Sequence, residues 1–257
     1  MTGTETVLYE VRDATAFVTL NRPEKRNALN DELIAELKAA LRRADHNDSI
    51  RCIVLQGAGA DFCSGADLST LQKLSQASVA ENLEDARSLM ELFVLIRQLH
   101  VPVVAAVRGR ALAGGCGLAL GCDMVLAERV ARFGFPEVKI GFVPAMVMAI
   151  LRRATSEKVA FELITTGQDI TAEEANRLGL VNHVFEGENF EAKVENFARR
   201  FERLSRSALS LSKRLFYSSE ALAFEEALAA GVDVNATARM TEDCRAGVAR
   251  FLKKNGS

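Results

Sequence analysis

The chain has 257 residues, 49% of them hydrophobic and 26% charged, with four prolines, a balance that suits one large globular domain or a domain with a helical appendage. Its formal net charge of −2 gives no general attraction to nucleic acid or to an anionic membrane. No apolar run approaches the roughly 20 residues of a membrane-spanning helix, and the five cysteines form no C-x-x-C pair, as suits idle thiols in a reducing, cytoplasmic setting.

The N-terminal segment is acidic and runs straight into a strand, which fits neither a signal nor a transit peptide. Residues 7–11 and 16–20 alternate as the two strands of a hairpin about Asp13. Residues 30–44 set Leu33, Ile34, Leu37 and Leu41 at helical spacing behind Asn30, a residue suited to the N-cap. A strand at 52–56 leads into a glycine-rich turn at 57–67, GAGADFCSGAD, after which Leu68 opens a helical stretch. Residues 79–99 place Leu83, Ala86, Leu89, Met90, Phe93 and Ile96 on an amphipathic helix. A β-branched run at 101–107 then breaks into a second glycine-rich stretch, 109–123, GRALAGGCGLALGCD, read as a tight turn and a helix N-terminus.

Short strands are predicted at 124–127 and 132–134, and from residue 145 helices dominate, with one extended piece at 180–184. Helical patterns close the chain at 192–202, 209–217, 224–240 and 243–253. Strand, helix and strand recurring in rising register predict an α/β fold, a mainly parallel sheet wrapped by helices. The terminal helical block is rich in phenylalanine, at 190, 197, 201, 216, 224 and 251, which suits either core or a self-association surface.

The two glycine turns carry the chemistry. Each points bare backbone N–H groups, and the second also a helix dipole, at whatever lies above it, which favours an anion or an oxygen that becomes one. One donor from each turn on a single oxygen is the layout of an oxyanion hole, whereas a lone glycine after a strand is ordinary turn chemistry. Other constellations fail on spacing. Ser64 has Phe62 two residues before it and so lies in no G-x-S-x-G elbow. His46, His100 and His183 are too scattered to suggest a metal site. Gly115, Gly117 and Gly121 miss the dinucleotide fingerprint by one residue, and Asp123 follows too soon to serve as its ribose-binding acid.

With these motifs in order, the chain resembles the crotonase, or enoyl-CoA hydratase/isomerase, superfamily. The resemblance rests on Asn21-Arg22-Pro23 with Asn27-Ala28-Leu29, on the run from Phe62 to Leu68, on Pro102 to Gly109, on Ala113 to Asp123 and on Phe133-Gly134-Phe135-Pro136-Glu137. It implies a crotonase-like spiral of repeated ββα units over 1–190 carrying the CoA site, and a C-terminal helical trimerisation region over 191–257, as a homotrimer or a dimer of trimers. It implies an acyl-CoA thioester as substrate, coenzyme A entering as part of it, with no separate cofactor and no metal. Carried over by motif, the oxyanion donors are the N–H groups of Ala66 and Gly114, flanked by Gly65, Asp67 and Leu68. Lys25, Arg26 and Ala28, together with Phe251 and Lys254, fall where relatives touch CoA, and Pro144 opens the segment beside the acyl group. Met146 and Met148 follow where many relatives have glycines, and either shape an acyl pocket or simply pack.

Family hydratases generally use two glutamates. The later one is present as Glu137, and the earlier is replaced by Gly117. A lone carboxylate can shuttle a proton but has no partner with which to share a water. The resemblance therefore implies double-bond isomerisation or hydration of an enoyl-CoA, with isomerisation favoured by the single acid. Phe133, Phe135 and Val143 are expected to give Glu137 an apolar setting that raises its pKa. Asp61, Asp67 and Glu91 are the other acids to inspect, should one of them hold a water. Decarboxylation or hydrolysis of an acyl-CoA, or a non-catalytic scaffold binding CoA or RNA, stand as alternatives. For the last, Arg199, Arg200, Arg203, Arg206, Lys213 and Arg214 form the one basic cluster, which also reads as a solvated helical face paired with Glu195, Glu202 and Glu220.

Overall fold

The alternation near the N-terminus folds as expected: β1 (Val7–Arg12) and β2 (Thr15–Leu20) pair antiparallel, and Asp13 takes the left-handed conformation the tight connection needs. This computed structural model describes residues 5–67, 70, 72, 73 and 76–255. Helix α1 (Asp31–Asp45) starts at Asn30, whose side chain accepts the Leu33 N–H at 3.0 Å, and buries Leu33, Ile34, Leu37 and Leu41.

β3 (Cys52–Gly57), α2 (Val79–Gln98), β4 (Val103–Val107), β5 (Arg110–Leu112), α3 (Gly114–Gly121), β6 (Met124–Glu128) and β7 (Arg132–Gly134) follow in order. β8 (Ile170–Thr171) and β9 (His183–Phe185) come later, among α4 (Ala145–Ala154), α5 (Glu157–Thr166) and α6 (Ala172–Arg177). The main sheet has the order β1-β2-β3-β4-β6-β9, parallel from β2 onward, and β5-β7-β8 make a smaller one. The period of two in β3 explains why its run is continuously apolar. Ile53 and Leu55 enter the large core with α1, α2 and α3, while Cys52 and Val54 face the opposite layer.

That opposite layer is α7 (Phe190–Ala198), which packs Phe190, Val194, Phe197 and Ala198 on Phe17, Val54, Val104 and Leu126. Beyond it lie α8 (Arg206–Ser218), α9 (Phe224–Met240) and α10 (Glu242–Asn255). Lys213 pins α8 to the core: its ammonium, buried, donates to the carbonyls of Ile96 and Val101 and to Asp123 Oδ2, while Tyr217 donates to Asp123 Oδ1. The phenylalanines divide accordingly. Phe190 and Phe197 are core, and Phe216, Phe224 and Phe251 are exposed on a layer left uncovered by the described residues.

Candidate active site

Four backbone segments are stitched side by side at the C-terminal ends of the parallel strands. Phe62 and Cys63 donate to the carbonyls of Arg108 and Arg110, and Leu112 donates back to Cys63, at 2.8–3.0 Å, so the two glycine turns run as one short parallel ladder. The first turn is tied in the same way to the Asn-Arg-Pro segment, through Ser64 N–H to Arg26 O, Leu29 N–H to Gly65 O and Asp67 N–H to Leu29 O. The second is tied to β7, through Ala113 N–H to Gly134 O. The short strand β5 within the second turn was not legible in the sequence; it makes this ladder.

In a parallel bridge the flanking residues bond the partner strand, so the bridged residue turns its own N–H the other way. Ala66 is that residue, and its N–H has no acceptor among the described residues. Gly114 is the first residue of α3, where the N–H groups have no intrahelical partner. The two lie together, because a Cβ placed on Gly65 would stand 2.8 Å from Ala113 Cβ and 3.7 Å from the Gly114 nitrogen.

Glu137 leaves β7 through Pro136 into a single 3₁₀ turn, Pro136–Ile140, which Gly141 closes in the left-handed conformation. It is 8% exposed, and its Oε2 is buried with no hydrogen-bond partner among the described residues. Burial raises its pKa above the ordinary carboxylate value, opposed in part by its own backbone N–H. Burial raises the thiol of Cys116 in the first turn of α3, and the charge of Glu137 adds to the shift; the strand before Glu137 is held at that end of the helix by Ala113 N–H to Gly134 O. Phe133 and Phe135 are buried as expected, but Val143 is exposed, so the apolar setting does not include it. Gly117, where hydratases of the resembled family carry an acid, lies against Val147 and Phe93.

The family described as enoyl-CoA hydratase/isomerase matches residues 10–256. The chain belongs to this family. Among relatives, it is 35% identical to a 2,3-dehydroadipyl-CoA hydratase of Escherichia coli, over 92% of this chain and 91% of that one. It is 32% identical to a crotonyl-CoA hydratase of Syntrophomonas wolfei, over 97% and 96%. A solved enoyl-CoA hydratase of Mycobacterium smegmatis superposes with a TM-score of 0.92 at 30% identity, covering 97% of this chain and 96% of that one. The architecture is thus the crotonase fold, α/β with a C-terminal helical region.

The other residues assigned from the family pattern are placed as follows. Lys25 and Arg26 are exposed on the short 3₁₀ turn Pro23–Lys25 and its cap, and Ala28 is buried beside them. Phe251 is 66% exposed on α10 and Lys254 lies on the same helix, both remote in sequence from that turn. Pro144 is buried at the N-cap of α4, Met146 is partly buried against the core, and Met148 lines a small cavity between α4 and α5. Leu68 lies outside the described residues.

The three further acids are all engaged. Asp67 pairs with Arg22 at 2.8 Å, Asp61 accepts the Arg110 N–H, and Glu91 pairs with Lys38 at the surface. Of the basic cluster, Lys213 is internal and Arg206 is bound to the Asp45 carbonyl and to Asp48. Sequence reasoning missed Leu29 and Leu89, which approach Gly114, and Phe93 and Val147 at Gly117. Leu89 and Phe93 stand four apart on the core stripe of α2, a spacing indistinguishable from plain packing. Buried Asn27 was quoted only as part of a motif; its amide holds the carbonyls of Ala58 and Asp61 and the Arg22 N–H, bracing the first turn.

Proposed function

We propose that this chain is an enzyme acting on an enoyl-CoA thioester, moving a double bond by proton transfer through Glu137. The observation that carries the reading is one buried, unpartnered carboxylate oxygen on a residue just after β7, the strand whose end is hydrogen-bonded to the N-terminus of α3. In the forward step Glu137 takes a proton from C2 of a 3-enoyl-CoA, and the C–H electron pair moves into the thioester, leaving negative charge on its oxygen. The N–H groups of Ala66 and Gly114 stabilise that charge; one such donor is worth about 3 to 4 kcal/mol of barrier. The carboxyl then returns the proton to C4, and the electrons shift to give the 2-enoyl-CoA. A raised pKa suits a carboxylate that must both accept and release this proton.

CoA is held at Lys25, Arg26 and Ala28, with Phe251 and Lys254 supplied by a neighbouring subunit. The exposure of Phe251 on a helix far along the chain, beside other uncovered apolar side chains, supports that arrangement and a homotrimer or dimer of trimers built on the helices after residue 191. Hydration of a 2-enoyl-CoA is the second reading, favoured by the hydratase names of the relatives. Purified protein assayed on 2-hexenoyl-CoA and 3-hexenoyl-CoA, with Glu137→Gln beside it, decides between them. Glu137-dependent turnover of the 3-enoyl substrate alone supports isomerisation. Substantial water addition to the 2-enoyl substrate overturns it in favour of hydration, and no turnover of either removes both.

A further inference from the structure

Gly114, Gly117 and Gly121 recur at three and four residues along α3 and so share one face. A groove of this kind admits a close neighbour, and the neighbour is α4. A Cβ on Gly117 would lie 2.6 Å from Val147 Cγ2, and one on Gly121 would lie 3.5 Å from Ile150 Cδ1, with Phe93 of α2 at 3.3 and 3.6 Å from the two positions. Val147 and Ile150, three apart on α4, form the ridge that fills the groove, and both are buried. Because a helical Cβ leans toward the helix N-terminus, a side chain at 117 would extend toward Gly114 and the chamber where the thioester oxygen is held. That volume is occupied by two valine methyl groups and an aromatic edge.

A water able to add to the substrate needs two to four polar partners. On the Glu137 side there is one carboxylate; on the α3 side Val147 and Phe93 offer none. We infer that Val147 is a specificity-determining residue of this site: it fills the space in front of Gly117, keeps from the α3 side the water that would add to C3 of a 2-enoyl thioester, and leaves proton transfer by Glu137 as the reaction of the site. The inference rests on the proposed enoyl-CoA reading and extends it by naming what selects between the two reactions. The glycine at 117 and the valine at 147 are one coupled pair, since neither a larger residue at 117 nor a smaller one at 147 is neutral alone.

The test uses the full-length chain and the ratio of hydration of 2-hexenoyl-CoA to isomerisation of 3-hexenoyl-CoA. Val147→Thr keeps nearly the same volume and puts a hydroxyl where water lacked a partner; it raises the ratio at least tenfold. Gly117→Glu alone lowers Tm without raising the ratio, whereas Gly117→Glu with Val147→Gly recovers Tm relative to the single variant and raises the ratio further. An unchanged ratio in folded Val147→Thr, or a Gly117→Glu protein that keeps wild-type Tm and hydrates freely, overturns the inference. Failure of the underlying reading looks different. It shows in the wild type, as equal turnover by Glu137→Gln or as silence on both substrates, before any change at 147 is made.

Discussion

Gly65 joins the two glycine turns, and replacing it with alanine measures how much the site depends on their contact. The residue has φ +94, and a Cβ there would meet Ala113 Cβ at 2.8 Å and Leu112 O at 3.1 Å. Holding an L-residue in a left-handed conformation costs about 1 to 2 kcal/mol, and forcing an extra methyl into packed surroundings costs about 1 to 3 kcal/mol more. Gly141 separates the two contributions, because its φ is +76 but nothing lies within 4 Å of its Cβ position. Gly65→Ala therefore loses about 2 to 5 kcal/mol and Gly141→Ala only about 1 to 2. At roughly 2 to 4 °C per kcal/mol for a chain near this size, the former melts several degrees below the latter. If Ala66 N–H serves the thioester oxygen, Gly65→Ala also lowers kcat by about 100- to 1000-fold, with a smaller change in KM. Urea and thermal unfolding of the two variants, with kinetics on 3-hexenoyl-CoA, read both effects. Equal stability of the two variants, with kcat kept in Gly65→Ala, would refute the argument that the turns are held edge to edge.

Other positions give sharper single readings. Glu137→Gln abolishes turnover yet stabilises the fold at neutral and higher pH. The carboxyl is harder to ionise folded than unfolded, so native stability is full below the unfolded pKa and declines as pH rises through the folded one. The Tm advantage of the variant is accordingly present at about pH 8 and closes toward about pH 4, and an advantage that grows on acidification contradicts the sign. Lys213→Met removes the buried cation from half-buried Asp123 and costs about 3 kcal/mol in urea unfolding, with earlier proteolysis of α8. Asn30→Ala removes the N-cap of α1 and costs about 1 kcal/mol, with the effect confined to stability and no change in KM.

What the sequence disclosed follows from the length over which a physical pattern has to persist. α1 runs fifteen residues with a capping asparagine and a regular core stripe, and β2, β3 and β4 are five- or six-residue apolar runs, so each announces itself. β5 and β8, three and two residues long, show no period, although β5 makes the ladder that sets the two turns together. The extended piece expected at 180–184 lies at His183–Phe185, displaced because Leu180 and Val181 are core residues of the preceding loop. The glycine turns were legible as backbone turns, the second opening a helix, because those signals are local. What surrounds them was not: Arg22 reaches Asp67, and Val147 reaches Gly117, across segments whose meeting only the folded chain decides.

A division of labour follows from where each group's position comes from. The N–H groups of Ala66 and Gly114 are set by hydrogen bonds between backbones, so their positions depend on no side chain at 66 or 114. The carboxylate is the reverse case. Glu137 is held by a proline, a closing glycine and burial, and its chemistry resides wholly in a side chain whose outer oxygen is left without a partner. On the proposed reading, stabilising an enolate is therefore a property of the scaffold, while the fate of the enolate depends on the few side chains that reach the chamber from α2, α3 and α4. Exchanging an acid for glycine on α3 would by itself leave a cavity, which costs stability in proportion to its volume. Here the volume is taken up by Val147 and Phe93. On the same reading, side chains at 117 and 147 compete for one space, which couples α3 to α4 at this point.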